Sequence, residues 1–255
     1  MPHPPTTQLQ TAFDASLAGY IEYSESPAGQ LRYAVMLHHL RSVLPPHAKI
    51  LDAGAGIGIL SADLARDGHS VTLLDFSTAM LDEARCNCAG LDVAFVCADA
   101  NSIDTLFPPE CFDVVLCHSL LEFASDPQEL LAHLVRVIRN PGLLSIVFGN
   151  RYHAPLQEIF LRHDARRARI GLDEELAGVD RFGLARHMFY PETIRAMTEA
   201  AGLRVIGEFG VRVFSDLLGT TSVDRAELLA LELAASPRLP YRHIARFIQL
   251  IAEEK

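Results

Sequence analysis

At 255 residues, 49% hydrophobic and 21% charged, the chain is long enough for one sizeable α/β domain, alone or with a cap. Its formal net charge of −10 argues against broad nonspecific attraction to nucleic acid and leaves only local basic patches for such a partner. No apolar run reaches the roughly 18 residues of a membrane span. The five cysteines (Cys86, Cys88, Cys97, Cys111, Cys117) form no C-x-x-C pair and have no histidine spacing suited to zinc, so no metal is expected. Cys97 and Cys117 fall in strand-like runs and are expected to be buried, and a reducing cytoplasm fits best.

The opening Met1-Pro2-His3-Pro4-Pro5 has neither a basic nor an apolar signal region and is expected to be a frayed tail. From Phe13 to about Leu44 apolar residues recur near helical spacing, and Pro45-Pro46 ends the run. A Pro/Gly-containing joint spans Glu25 to Arg32. Residues 1–46 are read as a helical lid.

Lys49-Ile50-Leu51-Asp52-Ala53-Gly54-Ala55-Gly56-Ile57-Gly58-Ile59-Leu60 then gives an apolar strand ending in a carboxylate, a turn with three alternate glycines, and a helix start. Such a turn lets a ligand approach the main chain beside the positive end of a helix. A dinucleotide fingerprint would need glycine at position 59, which is Ile59, and a Walker loop would need Gly-Lys-Ser/Thr. Further strands are read at Val71–Asp75, Val93–Asp99, Phe112–His118 and Leu143–Phe148, separated by helices at Ala79–Arg85 and Pro127–Arg139. Near-continuous apolar strands alternating with helices predict a mostly parallel sheet covered on both faces over residues 47–149.

Residues 150–190 interrupt the alternation with spaced arginines (Arg162, Arg166, Arg167, Arg169, Arg181, Arg186) and read as a mostly helical insertion over the strand ends. Residues 191–255 complete the sheet: a helix at Glu192–Ala201, a strand at Leu203–Phe214, a helix near Arg225–Ala234 and a last strand at Phe247–Ala252, for which helix is the alternative.

Acids close consecutive strands, and ligands of open α/β sheets sit at the carboxyl ends. Asp75, 21 positions after Gly54, suits the ribose hydroxyls of an adenosine, or else caps the following helix. Asp99 suits an adenine amino group or a simple turn. Asp52 orients the glycine loop, facing a ligand ammonium or serving structure alone.

The Asp-x-Gly-x-Gly-x-Gly turn with these acids resembles the S-adenosylmethionine (AdoMet) methyltransferases of Rossmann-like fold. The resemblance implies a seven-stranded sheet with the last strand antiparallel, AdoMet as cofactor, and contacts from Asp52, Gly54, Ala55, Gly56, Gly58, Asp75, Phe76, Met80, Asp99 and Ala100. Ala28-Gly29-Gln30-Leu31-Arg32, Leu116 to Phe123, and Gly210 to Asp216 resemble blocks of the bacterial tRNA methyltransferases that esterify 5-carboxymethoxyuridine at the wobble position. That likeness implies that Arg32 and His118 touch AdoMet and that Arg212 serves the substrate side.

Arg32 would pair the methionine carboxylate, with a surface salt bridge as the alternative. His118 would bond ligand or substrate, act as a base for a hydroxyl or amine acceptor, or be a satisfied structural histidine. Arg212, in an apolar strand, requires an anion: an acceptor carboxylate or an internal acid. This chain has Gly149 where those tRNA enzymes carry an aromatic residue, and spaced arginines in place of their lysine-rich run. The acceptor is therefore tRNA or a small acidic molecule, with a non-catalytic AdoMet-binding module as the remaining alternative.

Overall fold

The computed structural model describes residues 6–173, 178–179, 185–218 and 223–254. Two helices open it, α1 (Thr6–Glu25) and α2 (Pro27–Arg41). The alternating part follows as β1 (Lys49–Ala53), α3 (Ile59–Arg66), β2 (Ser70–Asp75), α4 (Thr78–Asn87), β3 (Val93–Cys97), the short α5 (Ile103–Leu106), β4 (Phe112–His118), α6 (Pro127–Arg136) and β5 (Ile138–Gly149). Next come α7 (Ala154–Arg162), α8 (Ala165–Asp173), a short antiparallel ribbon (Gly178–Val179 with Ala185–Arg186) and α9 (Pro191–Ala200). The chain ends with β6 (Leu203–Val211), α10 (Arg225–Ala235), α11 (Tyr241–Ile244) and β7 (Phe247–Glu254).

The seven main strands pair in the order β3-β2-β1-β4-β5-β7-β6. β1 to β5 run parallel, and β7 runs antiparallel to both β5 and β6. This is the expected mostly parallel seven-stranded sheet, with residues 247–252 in a strand. Alternation along each strand sends side chains to two cores. Ile50, Val71, Val114, Leu116 and Val147 pack with residues of α2 and α3 on one face. Leu51, Leu74, Val115 and Ile146 meet Leu130, Leu131 and Leu134 of α6 and Ile194 of α9 on the other. Strands buried on both faces need continuous apolar sequence, which is why they were legible.

The joint between the opening helices is a single residue. Ser26 is extended and accepts from Gly29 N, while Pro27 occupies the first turn of α2, where a missing N–H costs nothing. The expected joint from Glu25 to Arg32 is thus mostly the first turns of α2, and Arg32 sits on a rigid helix.

Three sequence expectations need correction. The strand expected to run to Phe214 ends at Val211, and Arg212 turns out of it with φ +61°. Cys97 is exposed, because β3 is an edge strand whose outer positions meet solvent; Cys117, on central β4, is fully buried. The fifth strand, expected at Leu143–Phe148, begins already at Ile138 and runs to Gly149.

Candidate cofactor and transfer site

The glycine turn leaves β1 at Gly54, whose N–H bonds Leu74 O of β2 at 2.8 Å, so the loop crosses directly over the neighbouring strand end. Gly54, Gly56 and Gly58 all have positive φ, which side-chain-bearing residues rarely adopt. Their surroundings differ. None of the described residues lies within 4 Å of where a Gly56 Cβ would stand, so backbone is bare there, whereas a Cβ at Gly58 would meet Leu73 and Ala84 at 2.9 and 3.0 Å. Gly58 therefore lets α3 pack against β2 and α4, and it does not line the cavity described next.

A cavity of about 410 Å³ opens over the carboxyl ends of β1, β2, β3 and β4, within the roughly 300–1,000 Å³ usual for small-ligand sites. Its wall includes Asp52, Gly54, Ala55, Gly56, Asp75, Phe76, Met80, Asp99, Ala100, Arg32 and His118. Every expected cofactor contact except Gly58 is thus brought to one place. Asp75 ends β2 with Oδ2 accepting from Gly56 N (2.8 Å) and Oδ1 from Ser77 N (2.9 Å). Ser77, not Asp75, caps α4, since its hydroxyl accepts from Met80 N. Burial raises the Asp75 pKa against those backbone hydrogen bonds. Asp52 is buried with Ser61 Oγ donating to it at 2.6 Å; burial lifts its pKa to about 6 despite that bond. Asp99 accepts from Asn101 N in a short 3-10 turn while also lining the cavity.

Residues of α1 close the cavity, and they were not anticipated as site residues. Leu9, Phe13 and Tyr20 line it, and the Phe13 ring stands edge-on to Phe76 and Phe123, at 5.5 and 5.1 Å between centroids. Gln10 Nε2 donates to Phe76 O at 2.9 Å, and Ser77 Oγ to Asp14 at 2.5 Å. The helical spacing of Leu9, Phe13 and Tyr20 was the available signal. Tyr33 and Met36 of α2 complete this side.

Arg32 is no surface ion pair. Its Nη2 donates to Ser119 Oγ at 2.8 Å, its guanidinium lies 4.4 Å over the Phe247 ring, and its buried Nε has no partner among the described residues. Burial opposes its charge, but Tyr23, Tyr33 and Glu122 outweigh it and raise its pKa. His118 Nε2 is 2.9 Å from Ser145 Oγ; burial, then Arg32, pull its pKa down to about 3, so the ring is neutral at pH 7.

Arg212 stands behind the cavity rather than on its wall. Its guanidinium bonds Asp216 and lies 3.3 Å from the Tyr23 hydroxyl. Arg246 holds the other Asp216 oxygen at 2.9 Å. The anion expected for Arg212 is thus supplied internally. Arg212, Arg246 and Arg32 surround Tyr23 with Asp216 as the bonded carboxylate, a surplus of positive charge. Burial alone would raise the Tyr23 pKa, yet Arg32, Arg212 and Arg246 bring it down to about 8.

A methyltransferase-domain family model matches residues 51–146, the segment carrying the loop and the strand-end acids. The tRNA 5-carboxymethoxyuridine methyltransferase of Escherichia coli K12 is 31% identical over 238 residues, 89% of each chain. The chain belongs to the class I AdoMet-dependent methyltransferases. A ubiquinone biosynthesis O-methyltransferase of Photorhabdus laumondii is 35% identical over 96 residues, 37% of this chain and 40% of its own. Among solved structures, a possible histamine N-methyltransferase of Thermotoga maritima superposes with a TM-score of 0.67 at 16% identity, over 96% of this chain and 99% of its own, a likeness of fold alone.

AdoMet is the methyl donor of this methyltransferase, and the residues present fit it: bare backbone at Gly56, carboxylates at three strand ends, and an arginine whose buried Nε has no partner among the described residues. Of the insertion arginines, Arg162 and Arg167 bond Glu158, and Arg186 bonds the fully buried Glu122 at 3.0 Å. Arg166 and Arg169 are exposed on α8; Arg181 lies outside the described residues. Among the described residues no helix is long and apolar enough to cross a membrane.

Proposed function

We propose that this methyltransferase esterifies a carboxylate, that of 5-carboxymethoxyuridine at the tRNA wobble position. The observation that carries the reading is the extent of the likeness to the tRNA enzyme. The ubiquinone O-methyltransferase match covers 37% of the chain, whereas the tRNA enzyme matches over 89% of it, a span that cannot omit both the opening helices and the C-terminal strands. Arg32, the one of the three arginines around Tyr23 that lines the cavity, is bonded to no carboxylate among the described residues, which supports an anionic ligand there.

In this reading Asp75 receives the ribose hydroxyls, Asp99 the adenine amino group, Asp52 the ammonium and Arg32 the carboxylate of AdoMet. When bound, AdoMet supplies a methyl group on a sulfonium, open to direct displacement. An ionised carboxylate needs no base at pH 7, so the chain's work is alignment and exclusion of water. The α1–α2 lid provides the second through Phe13, Tyr20 and Met36. Holding two reactants in line can remove about 7–11 kcal/mol of barrier.

One observation favours a small acidic acceptor instead: Arg162, Arg167 and Arg186 are held by carboxylates of the chain itself. Incubation with methyl-labelled AdoMet and either tRNA bearing 5-carboxymethoxyuridine or a metabolite extract separates the two. Label in tRNA that mild alkali releases as methanol is expected, since esters hydrolyse and N-methyl groups do not. Alkali-stable label, or label in small molecules alone, would overturn the tRNA ester.

A further inference from the structure

Three neighbouring strands each carry a polar side chain on the face otherwise lined by Leu116, Val147 and Phe247: His118 on β4, Ser145 on β5 and Gln249 on β7. They are joined end to end. His118 Nε2 lies 2.9 Å from Ser145 Oγ, Ser145 Oγ lies 3.3 Å from Gln249 Nε2, and Gln249 Oε1 lies 3.0 Å from His39 Nδ1 on α2. Ser145, Gln249 and His39 are buried. Polar groups in such a place are stabilised only when bonded.

Chemistry fixes the direction of each hydrogen. The Gln249 amide also reaches Met36 O at 3.3 Å. A carbonyl only accepts, so the NH2 side of the amide faces Met36 and Ser145, and its oxygen faces His39. His39 therefore donates through Nδ1–H; burial takes its pKa down to about 4, so it carries one ring proton at pH 7. Ser145 Oγ receives a Gln249 hydrogen, and its own hydrogen goes to His118 Nε2, its other bonded partner. A neutral imidazole that accepts at Nε2 carries its proton on Nδ1. That Nδ1 is buried without a partner among the described residues, on a residue lining the cavity.

We propose that Gln249 and Ser145 are positioning residues that lock His118 as its Nδ1–H tautomer, so that it offers a hydrogen-bond donor, beside Arg32, to a carboxylate oxygen in the cavity. This rests on the cavity being the methyl-transfer site, and it assigns His118 a role opposite to that of a base: the nitrogen left for the ligand already bears the proton.

Nitrogen-15 NMR of histidine-labelled protein reads the tautomer directly, with His118→Gln identifying the resonances. In the unaltered protein, Nδ1 of His118 is expected to be protonated and Nε2 bare. Gln249→Glu turns the donor facing Ser145 into an acceptor; the serine hydroxyl reverses, and the His118 proton moves to Nε2. Gln249→Met, similar in volume and apolar, removes the constraint, gives both tautomers, and keeps the test intact if a buried carboxylate prevents folding. A proton on Nε2 in the unaltered protein, or an unchanged tautomer in both variants, overturns the proposal. Neither result bears on which acceptor is methylated, so this failure is separable from failure of the ester reading. S-adenosylhomocysteine and 5-carboxymethoxyuridine, added separately, locate the oxygen: the one that shifts the Nδ1 resonance carries it, and no shift with either overturns the donor role.

Discussion

Asp75 already holds Gly56 N and Ser77 N through its two oxygens, and the proposed reading adds the ribose hydroxyls to them. Asp75→Asn keeps one of the two acceptors for Gly56 N and Ser77 N and loses the charge that strengthens bonds to ribose hydroxyls. S-adenosylhomocysteine affinity is expected to fall tenfold or more, about 1.4 kcal/mol, by calorimetry on a protein that unfolds within a few degrees of the original. Unchanged affinity in a folded variant would remove Asp75 from the ribose. Asp52 gives a pH signature. Burial raises its pKa from 3.8 to about 6, so the folded state binds a proton that the unfolded state has lost. Its stabilising contribution is complete below about pH 3.8 and is lost as pH rises through 6. Asp52→Asn should therefore gain thermal stability relative to the original protein as pH goes from 4 to 7. If Asp52 faces the AdoMet ammonium, ligand affinity should also climb with pH up to about 6, by at most about tenfold per unit. Asp52→Asn should flatten that climb; a climb that persists assigns it to another group. Asp216 is the carboxylate bonded to both Arg212 and Arg246. Removing one partner of a buried pair costs about 3–5 kcal/mol, so Asp216→Ala is expected to lose that much in urea unfolding. A loss near zero would mean that water reaches the cluster.

Among the elements, the opening pair of helices depends on how closely α1 and α2 meet. A Cβ on Gly29 would stand 2.0 Å from Tyr23 O, a backbone atom that cannot move aside without shifting α1. Gly29→Ala is expected to destabilise by roughly 1–3 kcal/mol, the usual cost of overpacking. It should also weaken AdoMet binding, because Arg32 lies one turn further along α2 and Phe13 lies on α1. Melting temperature and ligand affinity should fall together; a fall in the first without the second would mean that α1 and α2 do not contribute to the cofactor site. Gly58 makes the corresponding contact in the core, and its part in binding is indirect for the same steric reason.

At the scale of the molecule, the net charge of −10 sets the terms for any polyanionic acceptor. Exposed Arg166 and Arg169 on α8 are better placed than Arg162 or Arg167 to meet phosphates, because Glu158 already engages the latter two. With tRNA as acceptor, affinity should fall steeply with salt as counterions return. Replacing both Arg166 and Arg169 by Gln should reduce that slope by about two, roughly one per phosphate contact, and leave AdoMet affinity unaltered. A shallow slope in the original protein would instead support the small acidic acceptor.

The strands, the glycine turn and the acids Asp52, Asp75 and Asp99 were readable in the sequence because each depends on local chemistry. Continuous apolar runs require a doubly covered sheet, and a strand followed by alternate glycines turns toward its own helix. Arg212 was misplaced because a strand's end is not written in apolarity: Val213 and Phe214 continue the hydrophobic run while Arg212 leaves the ladder in a left-handed conformation. The sequence required an anion for it; only the fold decided that Asp216 and the hydroxyl of Tyr23, 189 positions away, stand there. The chain from His118 to His39 was equally hidden, since its Gln249–His39 link joins residues 210 positions apart. Sequence by itself determined the layers, the cofactor turn and which residue types would need partners. Tertiary structure decided who those partners are, because hydrogen bonds and buried charges are satisfied by whatever the packed helices and strands bring within about 3 Å.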